Sequence, residues 1–471
     1  MTLSQFNNTK IVATIGPATC NNEMLKKLLI AGADVFRLNT SHGNQETHLS
    51  AIRLIRQISK DLGIVSTILL DLQGPKIRLG ILQSEILLIE GQIVELVNNE
   101  QGVDGKQIPV DYPDFFKAVN AGDHIYINDG KVELVILSKE GHSVQAKVIT
   151  GGEISSRKGI NMPGVVTKIP AVTEQDKEYI RFGVKHGVDF FALSFVRTAQ
   201  DIKTAQDIIK KNKGDIPIIA KIEKPQAVEH IDQILECSDG IMVARGDLGI
   251  EILPEKVPMV QKELIHRANI ARKPVIVATQ MLESMITEPI PTRAEANDVA
   301  NAIIDGTDAI MLSGETTVGK YPLEAVEMMV RIAKNVEKSN LYQDVSKSFL
   351  SDQNSHDTSL IRLFNDVDIK AVIAITQSGF TAQVLSNSKI SPPIIAVSNQ
   401  PDLCRKMNIL WGVLPFWYQK ENLEFSDKIS RDICTQLIEK KVISKGDKIV
   451  FLAGLPALTL NKTTVIKYFE A

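Results

Sequence analysis

Along much of the chain, short and fully apolar runs alternate with longer stretches whose apolar residues recur every three or four positions. The short runs are Lys10–Ile15, Val35–Leu38, Thr67–Leu70, Phe190–Phe195, Ile216–Ile222, Gly240–Ala244, Pro274–Thr279 and Asp308–Leu312, rich in Val, Ile and Ala. A run without polar alternation is buried on both faces, as in the strands of a parallel sheet. Between most of them lie Asn22–Ala31, Gln45–Lys60, Ala199–Lys211, Ala227–Glu236, Glu255–Ala271, Arg293–Asp305 and Leu323–Val336, which predict amphipathic helices. Eight such units suit a (β/α)8 barrel, with an open doubly wound sheet as the alternative.

The period changes from about Gln73 to Lys168. Ile86–Ile89, Ile93–Val97, His124–Ile127, Val132–Leu137 and Val144–Ile149 are short and often alternate, and Asp-Gly turns stand at Asp104–Gly105 and Asp129–Gly130. This predicts an antiparallel β domain, residues 73–168, inserted between the third and fourth barrel strands and able to act as a lid. Residues 1–72 and 169–340 then form the barrel. After a polar stretch, Glu337–Thr358, the βα alternation restarts with Lys370–Thr376, Pro393–Val397, Gly412–Pro415 and Lys448–Ala453, so residues 341–471 predict a C-terminal α/β domain.

Composition narrows the function. The 471 residues allow about three domains. Lys+Arg number 53 against 56 Asp+Glu, and aromatics are 5%, so neither a basic surface nor a stacking platform points to nucleic acid. No apolar segment approaches the roughly 18 residues of a membrane span. The N-terminus lacks a signal-peptide pattern. Cys20, Cys237, Cys404 and Cys434 are widely spaced, as in a reducing compartment, and a cytoplasmic protein is expected.

In a parallel barrel, chemistry sits at the C-terminal ends of the strands. Those ends carry Arg37, Asn39, Ser41 and His42, then Asp71, Ser194 and Arg197, Lys221 and Glu223, Arg245, Gly246 and Asp247, Thr279 and Gln280, and Ser313, Gly314 and Glu315. Glu223 and Asp247 are carboxylates on neighbouring strands, a donor type that suits Mg²⁺ completed by substrate phosphate. Lys221, two residues before Glu223, points the same way on a strand. An ammonium beside a metal, with arginines across the rim, suits phosphoryl transfer. Backbone N–H groups of a Gly246–Asp247 turn, before a helix beginning near Pro254, are placed to hold a carboxylate. Gly314–Tyr321 nearly spells a P-loop, but Tyr321 stands where Ser or Thr binds Mg²⁺, so it reads as a helix entry ahead of Pro322.

The ordered motifs TKIVATIGPAT, DVFRLNTSHG, LLDLQGPKIRLG, KGINMPG, IIAKIEK, GIMVARGDLGIE, VIVATQMLESM, PTRAEANDVANAI and AIMLSGETTVGKYP span most of the chain. In them the chain resembles the pyruvate kinase family. The resemblance implies a (β/α)8 barrel, an inserted small β-barrel lid and a C-terminal α/β regulatory domain. It implies phosphoryl transfer from phosphoenolpyruvate to ADP, giving pyruvate and ATP, in a homotetramer. Lys221 resembles the residue that stabilises the transferring phosphoryl and the enolate oxygen. Glu223 and Asp247 resemble the ligands of Mg²⁺, for which Mn²⁺ substitutes. Gly246 and Asp247 resemble the carboxylate grip, Thr279 the substrate contact and proton route, and Arg37 the phosphoryl-binding arginine. Asn39, Thr40, Ser41, His42, Arg78 and Lys158 resemble the nucleotide-contacting positions. A proton relay through Ser313 or Glu315 is the expected complement to Thr279.

Two departures matter. Leu72, Gln73, Lys76 and Leu79 resemble the family's K⁺-independent pattern. The monovalent-cation pocket implied by the resemblance comprises Asn39, Ser41, Asp71 and the Leu72 carbonyl. Lys76 is expected to fill it, making K⁺ dispensable. Thr376, Ser378, Gly379 and Thr381 of TQSGFTA resemble the effector loop, but Phe380 replaces a basic residue, and AGLPALTL lacks a Trp and an Arg. A sugar monophosphate or AMP is therefore expected in preference to fructose 1,6-bisphosphate. Rival readings are a Schiff-base or metal-dependent lyase or aldolase on the same barrel, and a non-catalytic metabolite sensor.

Overall fold

The computed structural model describes residues 6–98, 107–112, 114–141, 143–165, 169–339, 342, 364, 369–421, 423, 425–453 and 465–471. Eight parallel strands close into a barrel: β1 (Lys10–Ile15), β2 (Val35–Asn39), β3 (Thr67–Asp71), β4 (Phe190–Leu193), β5 (Ile218–Ile222), β6 (Gly240–Ala244), β7 (Val275–Ala278) and β8 (Ala309–Leu312). Each strand pairs with the next in the chain, and β8 pairs with β1. The alternative of an open sheet is excluded by this closure. Register sets the rim: Asp71 on β3 stands opposite Asn39 on β2 and Ala192 on β4.

Two predicted strands end early for a local reason. Phe195 (φ +53°), Thr279 (φ +68°) and Gln280 (φ +52°) take left-handed backbone, which leaves the strand direction just past β4 and β7. The segment predicted as one helix over Ala227–Glu236 divides into Pro225–Glu229 and Ile231–Cys237. The predicted turn at Gly246–Asp247 is itself helical, Arg245–Glu251, so helix follows β6 directly and a 3₁₀ turn, Pro254–Lys256, comes after it. Past β8, the sequence resembling a P-loop forms the helix Gly314–Thr317, and the next helix, Pro322–Glu337, opens on the proline. A Cβ on Gly319 would collide with the Glu315 carbonyl oxygen, so that turn is packed on backbone.

The inserted strands form a six-stranded sheet, mostly antiparallel, and a two-stranded sheet around their own core, which includes Leu96, Ile125, Leu134 and Val148. The tip at Asn128–Gly130 has positive φ at all three residues, as the predicted Asp-Gly turn at Asp129–Gly130 requires. The turn predicted at Asp104–Gly105 lies outside the described residues, as does most of Glu337–Thr358.

The C-terminal sheet runs Val413–Trp417, Ile394–Ser398, Ala371–Ile375 and Lys448–Ala453 in parallel, with Val465–Glu470 added antiparallel at the edge. That last strand was not among those predicted. This sheet and its helices cover the N-terminal rim of the barrel. Val12, Val35, Leu69 and Met242 from the barrel interior share one core with Met407 and Leu410. Asp34, Asp189, Asp239 and Asp308 each accept a backbone N–H at the start of a neighbouring strand, at 2.7–2.9 Å, and so fix the barrel's lower edge. Three of them are met from the C-terminal side: Lys389 reaches the Asp308 carboxylate at 2.7 Å, Arg405 that of Asp189 at 2.7 Å, and Asn408 donates to the Asp34 carbonyl at 2.8 Å. The opposite rim, where the strands end, is left to the lid and to solvent.

Candidate active site at the C-terminal rim of the barrel

The strand ends converge on one ionic cluster. Lys221, on β5, places its Nζ 2.9 Å from Glu223 Oε1 and 3.3 Å from Asp71 Oδ1, and donates to Ser194 Oγ at 2.7 Å. Arg37 donates through Nε to Asp71 Oδ2 at 2.6 Å and through Nη1 to Thr14 Oγ1 at 3.1 Å. Phe195 N–H donates to Glu223 Oε2 at 2.7 Å, a bond its left-handed backbone makes possible. Ser194 in turn donates to the Leu72 carbonyl at 2.7 Å. Arg37, Asp71, Ser194, Lys221 and Glu223 are all buried.

Burial opposes the charge on Lys221, but Asp71 and Glu223 outweigh it and hold the ammonium protonated, above its usual range. Burial likewise opposes ionisation of Asp71, yet Lys221 and Arg37 depress its pKa below the ordinary carboxylate range. Glu223 goes the other way: burial, reinforced by the Asp247 charge, raises it despite Lys221. A carboxylate whose ionisation a neighbouring carboxylate disfavours, beside an ammonium, suits a hard divalent cation. Among the described residues no three His, Cys, Asp or Glu side chains gather as a metal cage. The pair Glu223 and Asp247 therefore fits an ion that takes its remaining ligands from substrate and water, as Mg²⁺ does.

Thr279 sits beside this pair. Its Oγ1 accepts the Gly246 N–H at 2.7 Å and donates to the Ala278 carbonyl at 2.6 Å. A β-branched residue at φ +68° is strained, and such strain persists where its surroundings over-determine it. Here Arg245 supplies the hold. Its Nη2 donates to the carbonyls of Thr279 (2.8 Å) and Gln280 (3.0 Å), while Nη1 is anchored on Asp298 at 2.6 Å.

Several expected roles look different in three dimensions. Glu315 is fully buried and accepts the backbone N–H groups of Leu282 (3.0 Å) and Ser313 (2.7 Å). It ties two rim loops together, one backbone N–H on each oxygen, a structural role beside any part in a proton relay. Lys76 is not drawn onto the oxygens of Asn39, Ser41, Asp71 and Leu72. Its ammonium lies between the lid's Asp129 (3.5 Å) and Asp247 (3.9 Å), and the cations against Asp71 are Arg37 and Lys221. The Asn39–His42 loop folds on the same corner: Thr40 donates to the Asp71 carbonyl through both N–H (3.0 Å) and Oγ1 (2.9 Å), and Asn39 Oδ1 accepts the Ser41 N–H at 3.1 Å. Arg78 and Lys158 lie on adjoining lid segments, joined by the Leu79 N–H donating to the Lys158 carbonyl at 2.8 Å.

Asp71 as shared counter-ion of Arg37 and Lys221, and Ser194 as a third partner of Lys221, are roles that the sequence does not announce. The only signal for either is its place at a strand end. In the C-terminal domain, Thr376 Oγ1 accepts the Gly379 N–H at 2.9 Å and Gly379 takes φ +82°, opening the helix Phe380–Asn387. Thr376 and Thr381 are buried, whereas Ser378 is exposed. All but the first residue of AGLPALTL lies outside the described residues.

Comparison with known proteins agrees with this geometry. The family model for the pyruvate kinase barrel domain matches residues 6–326, and that for the pyruvate kinase alpha/beta domain matches residues 356–467. Pyruvate kinase of Staphylococcus epidermidis strain ATCC 12228 is 42% identical over 474 residues, covering 98% of this chain and 80% of that protein. Pyruvate kinase of Staphylococcus aureus strain MRSA252 is 41% identical over 475 residues, with the same coverage. A closed barrel with a cationic and acidic cluster at its mouth, two family models that together take in most of the chain, and near-full-length relatives converge on one conclusion: the chain belongs to the pyruvate kinase family.

Proposed function

We propose that this rim transfers the phosphoryl group of phosphoenolpyruvate to ADP, with Arg37, Lys221 and Thr279 as the residues in contact with the reacting groups. The observation that carries the reading is the buried Lys221 ammonium, 2.9 Å from Glu223 and 3.3 Å from Asp71, at the mouth of the barrel. Asp71 orients Arg37 and Lys221 from below, so that both cations face the space where the phosphoryl passes. Charge spread over the equatorial oxygens in the transition state is stabilised by such fixed cations. Lys221, held protonated, also stabilises the enolate oxygen left behind. The backbone of Gly246 and Asp247 grips the substrate carboxylate, the Gly246 N–H turning from Thr279 Oγ1 to do so, and the freed Thr279 hydroxyl sets the face of the enolate that takes a proton, with a water completing the route. Glu223 and Asp247 would hold Mg²⁺, or Mn²⁺ in its place, which neutralises phosphate charge when bound.

Asn39, Thr40, Ser41 and His42 on the barrel, with Arg78 and Lys158 on the lid, contact the nucleotide. Lid closure then excludes water from the transferring phosphoryl. The K⁺-independent reading rests on Lys76: its ammonium beside Asp247 adds a fixed positive charge next to the substrate, although it stands away from the pocket of Asn39, Ser41, Asp71 and Leu72. A sugar monophosphate or AMP binds Thr376, Ser378, Gly379 and Thr381, because Phe380 offers no cation for a second phosphate. The assembly is a cytoplasmic homotetramer. Among the described residues no helix is long and apolar enough to cross a membrane.

A lactate-dehydrogenase-coupled assay tests the reading. Pyruvate formed from phosphoenolpyruvate only when ADP and Mg²⁺ are present supports it. Full activity in a K⁺-free tetraalkylammonium buffer supports the Lys76 argument, and activity restored only by KCl refutes that part. Stronger activation by fructose 1,6-bisphosphate than by monophosphates refutes the effector ranking. The lyase reading needs a free amine, and Lys221 is held protonated. Borohydride trapping of a keto acid on Lys221 would favour it.

A further inference from the structure

Three residues of the shared motifs have no part in the reaction above, and they meet. Asn161 of KGINMPG ends the lid strand Ile160–Asn161, Glu251 of GDLGIE ends the helix Arg245–Glu251, and Lys224 of AKIEK follows β5. Asn161 Nδ2 donates to Glu251 Oε1 at 3.0 Å, and Lys224 Nζ reaches the same oxygen at 2.5 Å. Asn161 is 4% exposed and Glu251 6% exposed. The ionic contact from the lid to Asp247 on the rim, made by Lys76, is longer at 3.9 Å. We propose that Glu251 is the catch on which the lid closes, with Asn161 as the lid's half of it.

The chemistry favours a contact made only in the closed state. A buried carboxylate is costly without partners, and Lys224 supplies a permanent one from the barrel. The Asn161 amide adds a second, directional, charge-assisted bond that exists only while the lid is down. Its buried Oδ1 has no hydrogen-bond partner among the described residues, so the side chain serves the seam through Nδ2. The geometry links both ends of the catch to the site. Helix Arg245–Glu251 carries Gly246 and Asp247 in its first turn, and Asn161 lies three residues beyond Lys158 on the same lid segment. Closure on Glu251 therefore sets Lys158 and Arg78 over the rim. Asn161 and Glu251 act as positioning residues, and this inference rests on the reading that Lys158 and Arg78 contact the nucleotide.

The test is an exchange of donor and acceptor, using Asn161→Asp, Glu251→Gln and the two combined in the full-length protein. Asn161→Asp sets carboxylate against carboxylate. It should raise the KM for ADP about tenfold or more while the KM for phosphoenolpyruvate moves much less. Adding Glu251→Gln turns the acceptor into a donor and should bring the KM for ADP back to within about twofold of wild type. Losses that simply add in the combined variant overturn the catch, as does a fall in kcat with both KM values unchanged. If Asn161→Asp does not fold, the Asn161→Ala and Glu251→Ala cycle decides the same question: a double variant no worse than the worse single supports the catch, and additive losses overturn it. Wild-type turnover in the same assay separates the two levels. Its absence removes the functional reading, whereas normal wild-type turnover with additive variants removes the catch alone.

Discussion

Replacing Lys221 by Met keeps most of the side-chain volume and deletes one charge. At separations of 2.9 and 3.3 Å, each carboxylate gains roughly 5–6 kcal/mol from the ammonium in an effective dielectric near ~20, before desolvation is subtracted. Breaking a buried pair by removing one partner costs about 3–5 kcal/mol in practice. That is a large part of the roughly 5–15 kcal/mol that holds a typical domain folded. Glu223, already raised by burial, loses the cation that opposed the shift, so its pKa moves further up and its hold on a divalent ion weakens. For the chemical step, losing one fixed cation from a phosphoryl-transfer site corresponds to a factor of about 10³ or more in kcat. Lys221→Met should therefore lower kcat by about 10³ in the coupled assay and lower the urea midpoint. Adding Glu223→Gln separates the two effects. It removes the stranded charge and should restore much of the stability while leaving activity lost. A Lys221→Met enzyme with kcat within about tenfold of wild type would refute the reasoning.

Three further outcomes follow from the geometry. Thr279→Ala removes the acceptor for the Gly246 N–H and should lower kcat about 10²-fold with a smaller change in the KM for phosphoenolpyruvate, while Thr279→Ser keeps most activity; steady-state kinetics decides. Because Asp71 is depressed in the folded state, its contribution to stability is complete above its unfolded pKa and is lost as pH falls through the folded one. The urea-stability gap between wild type and Asp71→Asn should be flat above about pH 5 and close below about pH 4; a gap that widens on acidification contradicts the pairing. Lys389→Ala leaves Asp308 buried and unpaired, at a cost of about 3–5 kcal/mol in urea unfolding, and adding Asp308→Asn should recover most of it because the Val275 N–H keeps an acceptor.

The barrel was legible because its strands are apolar on both faces, a pattern that needs a sheet covered on both sides. Lys10–Ile15 and Gly240–Ala244 match their predicted bounds for that reason. Where a strand overran, at Phe195 and Thr279, the cause is left-handed backbone in residue types that rarely adopt it, held by the Phe195 N–H donating to Glu223 and by Arg245 donating to the Thr279 carbonyl. The final strand, Val465–Glu470, reads VIKYFE, neither fully apolar nor strictly alternating, lies at a sheet edge and is recognisable only beside its partner, Lys448–Ala453. Within the site, residue types at strand ends indicated the chemistry, but partnerships did not follow from spacing. Asp71 carries both cations because register places it between β2 and β4, and Lys76 follows the lid toward Asp129 and Asp247. Glu315 was ambiguous because a buried carboxylate that caps backbone N–H groups and one that moves protons look alike in sequence.

Anomalous diffraction from crystals grown with Mn²⁺ and a substrate carboxylate bears most directly on the central claim, that Glu223 and Asp247 share one divalent ion in front of Lys221. A single Mn²⁺ peak within about 2–2.5 Å of both carboxylates, at hydrogen-bonding range of a ligand oxygen that also meets Lys221, is the predicted result. Substrate bound at the rim with Mn²⁺ held elsewhere, or with neither carboxylate coordinating it, would contradict the account.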